Sequence, residues 1–542
     1  MKNKQKVFIG ILITTIVISF SFQSRFFEIA KQIEIYTTLF KELNMYYVNE
    51  INPAELTNKA IKNTLKNLDP YTNYFDEQEV EDAKIRREGE YGGIGASIYY
   101  NKGSMTITKV AKGYAADKIG LKTGDVLTVV NDQELKNLDR SAMSGLLKGI
   151  PGSAISMEVL RQGKKLNFNF KREKIIVNPV PFYDMIDSET GYITLTRFNA
   201  KASSEVKKAF LELKEKGMKT LVFDLRSNPG GSLFESINIS NFFLPKGSKI
   251  VSTKAKIKKW SNTYKANRDP LDLEIPIVVL INGRSASASE IVSGALQDYD
   301  RAVILGERSF GKGLVQRYRD LTYGSQLKVT ISKYYTPSGR CIQELDYANR
   351  DLKTGKVPKF SDGGINQFKT KNGRIVFDGG GVTPDVKINR TKRTEATKKL
   401  LRSQAIFNFV TNYLANKNTS VDTSYRMSNK EFKDFQEYLK SSDTTFVTKQ
   451  EELFKNAYNE VSNKENLSKE YQKILKELSS AKIKEISKNK DIIIELIQDD
   501  IVERVLYKKG VYQHHLKNDE TILKAANLLK NSKEYTQILS NK

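Results

Sequence analysis

Pro276-Ile277-Val278-Val279-Leu280-Ile281-Asn282-Gly283-Arg284-Ser285-Ala286-Ser287-Ala288-Ser289-Glu290 is the stretch from which the fold can be read. After the proline comes an aliphatic run with no polar face, the mark of a strand buried on both sides in a parallel sheet. The run breaks at Asn282-Gly283, crosses a turn of small residues and enters a helix expected over 289–299. The same order recurs outward from it. Upstream stand a strand over 191–195, an amphipathic helix over 204–216, a strand over 220–225, the loop Asn228-Pro229-Gly230-Gly231 and a helix over 232–243. Downstream, a strand over 302–305 runs to the loop Gly311-Lys312-Gly313. Strand, loop and helix in repetition predict an α/β domain over 176–390. In a parallel sheet the loops leaving the C-terminal strand ends lie along one edge, where open α/β sheets place their sites. The three loops are therefore expected to meet.

The residue types in those loops suit acyl transfer. Ser287 stands at a helix entrance, where unpaired N–H groups and the helix dipole favour a developing oxyanion. Ala286 and Ala288 leave room for a substrate backbone, and Gly230 or Gly231 can present another N–H without a side chain in the way. The chain has only two histidines, His514 and His515, adjacent and far from the serine in sequence, which argues against a Ser-His-Asp triad. The base is then a lysine, a recognised variant of the same logic. Lys312, flanked by glycines, is the candidate, with Phe310 and Leu314 as apolar neighbours and Gln316 as a supporting group. To take a proton Lys312 must be neutral, which desolvation favours. The bland readings stand beside these. A serine at a helix start is commonly only an N-cap, a role open to Ser285 and Ser289, and Asp298 at the helix end reads as structural.

Composition narrows the classes. At 542 residues, two to four domains are expected. One cysteine, Cys341, and two adjacent histidines exclude an intrachain disulfide and a Cys/His metal centre, so no metal and no cofactor are expected. The net charge of +25 is carried by scattered lysines without a nucleic-acid-binding motif, so it reads as solvated surface and nucleic acid is not an expected partner. Gly306 through Lys312 matches most of a P-loop, but Gly313 occupies the place of the magnesium-binding hydroxyl, which discounts nucleotide binding.

The N-terminus carries its own signal. Lys2, Lys4 and Lys6 precede an apolar run over 7–22 without a clean cleavage site behind it. Residues 1–25 read as a signal anchor, cytoplasmic at its start, with the body exported; a cleaved signal peptide is the alternative. Residues 26–90 show helical spacing, as in Phe26, Ile29, Ile33, Tyr36 and Phe40, and read as a small helical region. Residues 391–542 are Lys-, Glu- and Asn-rich with helical periodicity and form a helical extension without evident chemistry. It is free to dock on the catalytic domain, to oligomerise or to hold an adaptor.

Over 91–175 the order of glycine loop, strands, short helix and second helix, with Gly120-Leu121-x-x-Gly124-Asp125, resembles a PDZ domain of the bacterial protease type. The resemblance implies that Gly92-Gly93-Ile94-Gly95 offers backbone N–H groups to a peptide's C-terminal carboxylate while the adjoining strand edge takes the peptide as an added strand.

A wider resemblance covers roughly 35–390. Ser285-Ala286-Ser287-Ala288-Ser289-Glu290, Gly294-Ala295-Leu296-Gln297-Asp298 and Phe310-Gly311-Lys312-Gly313-x-x-Gln316 look like the carboxyl-terminal processing peptidases, tail-specific Ser-Lys proteases of peptidase family S41. So do Asp224-Leu225-Arg226-x-Asn228-Pro229-Gly230-Gly231, Tyr335-Thr336-Pro337-Ser338-Gly339-Arg340 and Gly380-Gly381-Val382-Thr383-Pro384-Asp385. One departure is Ser227, where this loop often has Asn or Gly. The resemblance implies a ClpP/crotonase-like α/β core with an inserted PDZ domain, Ser287 as nucleophile, Lys312 as general base, Gln316 in support, and the N–H of Ala288 with that of Gly230 or Gly231 as the oxyanion hole. It further implies protein substrates with apolar C-termini, and a body anchored in the cytoplasmic membrane of a bacterial cell envelope, facing the periplasm or the outside. A non-catalytic PDZ scaffold at the membrane and an acyl-CoA enzyme on the same core are the rival readings.

Overall fold

The computed structural model describes residues 26–101, 103–389, 391–416, 420–441, 446–460 and 467–540. The expected signal anchor at 1–25 lies outside the described residues. These pack as two units, one of residues up to 76 with 318–329, the other of the remainder. In the first unit a helix over 26–46 exposes Phe26, Ile29, Ile33 and Tyr36, and a second helix spans Pro53–Lys66. Strand Asn73–Phe75 pairs antiparallel with Gln326, Leu327 and Lys328. The region read from sequence as purely helical thus contains a strand, and residues 77–90 belong to the other unit. A three-residue strand whose partner lies far along the chain leaves no local periodicity to read.

The second unit is built around a six-stranded sheet in the order Phe182–Met185, Thr190–Thr194, Thr220–Asp224, Ile277–Ile281, Val303–Gly306, Val386–Lys387. The first pair is antiparallel and the rest are parallel. Side-chain alternation gives the sheet two apolar faces. Leu221, Phe223, Ile277, Val279, Ile281 and Ile304 pack under helices Ala202–Glu215, Leu233–Asn241 and Ala288–Asp298. Val222, Val278, Leu280, Val303 and Leu305 face the other way, against Ile522, Ala525, Leu528 and Leu529 of helix Glu520–Lys530 and Tyr535 of helix Ser532–Leu539. The Tyr535 hydroxyl accepts from Ile277 N–H at 3.0 Å and donates to Ile277 O at 3.1 Å. A parallel sheet needs both faces covered, and here the far end of the chain covers the second. The sequence boundary at 390 therefore divides the chain but not this core.

Residues 94–171 form a second core around Met105, Ile107, Leu127, Met157 and Val159. Its sheet begins at strand Ala96–Asn101, which pairs only with Ser104–Val110 among the described strands and so presents a free edge. The 29-residue helix Lys490–Asn518 runs past this domain. Glu503 on it pairs with Lys109 at 2.5 Å, and the Tyr507 hydroxyl donates to Asp117 at 2.6 Å. Tyr507 breaks the helix, with φ 60° and ψ −175°. Among the described residues no helix is long and apolar enough to cross a membrane.

Candidate active site

The parallel register places the loops after Asp224, Ile281 and Gly306 on one sheet edge, and hydrogen bonds then lock them together. Asn228, wholly buried, accepts on its backbone oxygen from Ala286 N–H and from the Ser289 hydroxyl, both at 3.0 Å. The Ser285 hydroxyl donates to Leu225 O at 2.8 Å. Ser285 and Ser289 thus tie the serine turn to the glycine loop. The helix begins at Ala288, so the N-cap position is held by Ser287 itself. Ser287 carries φ 56° and ψ −111°, a conformation that costs a non-glycine residue about 1–3 kcal/mol and persists only where its surroundings over-determine it.

Glu290 does much of that. Its carboxylate is fully buried and accepts four hydrogen bonds. Oε1 takes the Ser309 hydroxyl at 2.5 Å and Gly311 N–H at 2.7 Å. Oε2 takes Ser287 N–H at 2.7 Å and Lys312 N–H at 2.9 Å. Burial pushes the carboxyl above its usual range, and the donors pull it back only in part. In the sequence Glu290 stands within the serine motif without an evident role; the signal for one is its place three residues after the N-cap, the capping-box position.

The lysine loop is held on both sides. Gly311 O accepts from Glu344 N–H at 3.0 Å, Gly313 N–H donates to Gln343 Oε1 at 2.8 Å, and Gly313 O accepts from Tyr334 N–H at 2.9 Å. A Cβ on Gly311 would stand 2.8 Å from Glu344 Cβ, and one on Gly313 would stand 2.8 Å from Gln343 N. The glycines beside Lys312 thus serve close backbone packing. Leu314 is buried but Phe310 is about half exposed, so of the two expected apolar neighbours only Leu314 is packed away. Gln316, on strand Leu314–Asp320, donates to Thr330 Oγ1 at 3.2 Å. The Tyr334 hydroxyl donates to Ser287 O at 3.1 Å, a further tie between this side and the serine. Ser287 and Lys312 are each half-buried.

The two loop glycines differ. Gly230 N–H is taken by Asn228 Oδ1 at 2.8 Å. The bridge between Phe198 and the loop uses Gly230 O and Ser232 N–H, not the N–H of Gly231. A Cβ on Gly230 would lie 2.9 Å from Ala288 N and 2.9 Å from Ser287 Cβ. Asp298 lies at the far end of the helix, paired with Arg340 at 2.6 Å, both fully buried. His515 bonds Asp499 at 2.8 Å and His514 bonds Thr423 O at 3.1 Å, both within the C-terminal region. Among the described residues no group of His, Cys, Asp or Glu is arranged to hold a metal ion.

In the Gly92–Gly95 segment, Gly92 and Gly93 end a strand, Glu90–Gly93, paired with Glu173–Ile176, and the Ile94 side chain is buried in the domain core. Ile94 O and Gly95 O accept from Ala116 N–H and Ala111 N–H, both inside the domain. Trans peptide planes then turn the N–H groups of Gly95 and Ala96 the opposite way.

Three family models match the chain: Peptidase family S41 over 189–351, a PDZ domain over 92–171, and the C-terminal helical domain of a probable PDZ-protease over 396–529. The carboxy-terminal-processing protease of Bartonella bacilliformis is 34% identical over 319 residues, 58% of this chain and 73% of that protein. A probable CtpA-like serine protease of Staphylococcus aureus is 34% identical over 309 residues, 56% of this chain and 61% of that protein. Among solved structures, the photosystem II D1 C-terminal processing protease aligns over 65% of this chain and 92% of its own, at 25% identity and a TM-score of 0.36. A mixed α/β catalytic unit, a PDZ domain and a C-terminal helical domain are thus joined in one chain, which belongs to the carboxy-terminal-processing serine proteases of peptidase family S41.

Proposed function

We propose that this protease cuts by a Ser287–Lys312 dyad on a core of the ClpP/crotonase type. Ser287 Oγ attacks the scissile carbonyl while Lys312, in its neutral form, takes the hydroxyl proton. The N–H groups of Ala288 and Gly231 hold the tetrahedral oxyanion, since Gly230 N–H is spent on Asn228. Lys312 returns the proton to the leaving amine, and water then hydrolyses the acyl-enzyme. Gln316 supports the lysine side of the site. The observation that carries this reading is the shared acceptor: one oxygen of Glu290 fixes the backbones of both Ser287 and Lys312.

Substrate choice falls to the PDZ domain. An apolar C-terminal tail adds to the free edge of strand Ala96–Asn101, and its carboxylate sits on the outward N–H groups at Gly95 and Ala96. The lysines ahead of the apolar run at 7–22 support a body held at the cytoplasmic membrane of a bacterial envelope and working outside it.

The test uses full-length wild type, Ser287→Ala and Lys312→Ala on proteins with an apolar or a charged tail, with products read by intact mass. Cleavage by wild type alone, favouring the apolar tail, is expected. Equal cleavage by all three overturns the dyad, and indifference to the tail overturns the PDZ role.

A further inference from the structure

The glycine loop that faces Ser287 is gripped from the C-terminal helical region. Arg226, four residues before Gly230, lies almost buried at the end of strand Thr220–Asp224, and its guanidinium fork is divided between two acids. Nε and Nη2 bond the Asp224 carboxylate at 3.0 and 2.6 Å, and Nη1 bonds Asp519 Oδ2 at 2.7 Å. Asp224 is itself fixed by the Tyr192 hydroxyl at 2.8 Å. Asp519 is the N-cap of helix Glu520–Lys530, the helix that covers the second face of the catalytic sheet, and its other oxygen caps Thr521 N–H at 2.8 Å. Only a charged carboxylate serves both duties at this length, because an amide would turn its NH2 toward either the guanidinium or the cap.

The backbone between Arg226 and the glycines is strained. Ser227 stands at φ 59°, with Asn282 accepting its N–H at 2.9 Å and donating to its hydroxyl at 3.1 Å, Arg226 anchored on one side and Asn228 anchored on the other through its bond to Leu195 O at 2.8 Å. A left-handed serine costs about 1–2 kcal/mol and is held only by the sum of these contacts, so loosening Arg226 shifts the balance toward relaxation. Relaxation there moves the peptide planes that follow, and with them the N–H aimed at the oxyanion.

We infer that Asp519 is a positioning residue for the reaction: acting through Arg226, it holds the oxyanion loop in register with Ser287, and this is a task of the C-terminal helical domain. The inference rests on the oxyanion assignment above. Because it concerns a donor used in the transition state, it reads out in kcat and leaves substrate binding alone.

Two substitutions at Asp519 separate charge from cap in the full-length protein. Asp519→Ser keeps a good N-cap but is too short to reach Arg226; Asp519→Glu keeps the charge and weakens the cap. Hydrolysis of a short N-blocked alanyl p-nitrophenyl ester, too small to occupy the PDZ edge, is followed with rates normalised to the folded fraction, beside Ser287→Ala. The expected result is a fall in kcat of about 10- to 100-fold for Asp519→Ser with KM unchanged, and substantial recovery in Asp519→Glu despite its weaker cap. Wild-type kcat in Asp519→Ser, a loss confined to KM, or equal losses in the Ser and Glu variants overturns the inference. Activity surviving in Ser287→Ala overturns the dyad instead.

Discussion

The backbone N–H groups of Ser287 and Lys312, 25 positions apart, donate to the same carboxylate oxygen, Oε2 of Glu290, at 2.7 and 2.9 Å. The backbones of the proposed nucleophile and base are therefore tied through one buried atom. In Glu290→Gln an NH2 group replaces one acceptor and meets donors head-on, since all four partners are donors. We expect a loss of about 2–3 kcal/mol in stability and a fall in kcat of about 10²-fold. Urea unfolding and single-turnover cleavage measure the two separately.

Gly230 lies tight against the serine turn. A methyl there would press Ala286 O at 2.6 Å and Ser287 Cβ at 2.9 Å, on a backbone at φ 94°. Gly230→Ala is expected to lower kcat by about 10²-fold or more. A crystal structure of the variant should show the two loops pushed apart, and unchanged kcat contradicts the assignment of this gap.

Asp298 ends the same helix that Ser287 begins, but its carboxylate is spent on Arg340 and on Ser338 N–H at 2.9 Å. Breaking this buried pair in Asp298→Ala should cost about 3–5 kcal/mol. Among the described residues Arg340 Nε and Nη1 lack hydrogen-bond partners, so Arg340→Met added to the first change should regain part of the loss. The activity of each variant should follow its folded fraction in a thermal melt; a folded but slow Asp298→Ala would give Asp298 a part in catalysis.

Asp187, in the turn between the first two strands of the catalytic sheet, forms an ion pair with Lys530 of the covering helix at 2.9 Å. Burial raises its carboxyl, but the lysine and the N–H groups of Glu189 and Thr190 outweigh that and hold it at about 2, below the ordinary 3.8. A carboxyl lowered by folding contributes stability above its unfolded value and loses it as pH falls through the folded one. Asp187→Asn should therefore cost about 1–2 kcal/mol at pH 7, after allowance for the exposed lysine, and almost nothing near pH 2. Denaturant titrations at the two pH values decide this.

The sheet was legible because its strands are self-declaring: Leu221-Val222-Phe223 and Ile277 to Ile281 have no polar face, and parallel pairing follows from the helices between them. That topology alone brings the loops of Gly230, Ser287 and Lys312 to one edge. Ser227, the one departure in the glycine loop, stands at φ 59°, which explains why Asn or Gly suits the place. What stayed hidden was partnership. An amphipathic helix at 520–530 announces an apolar face but not the sheet beneath it, and Arg226 gives no hint of Asp519, 293 residues away. Glu290 read as a motif letter because its four donors come from segments that only the fold assembles.

The covering of the sheet by its most distant helices has a consequence for how the enzyme is made. The strands between 190 and 306 leave the ribosome with one apolar face bare, and the helices that close it, Glu520–Lys530 and Ser532–Leu539, are synthesised more than two hundred residues later. Contacts of such sequence separation form late and slowly. A growing chain thus carries Ser287 and Lys312 long before it can hold a finished core, and the sheet gains its second covered face only when these helices dock.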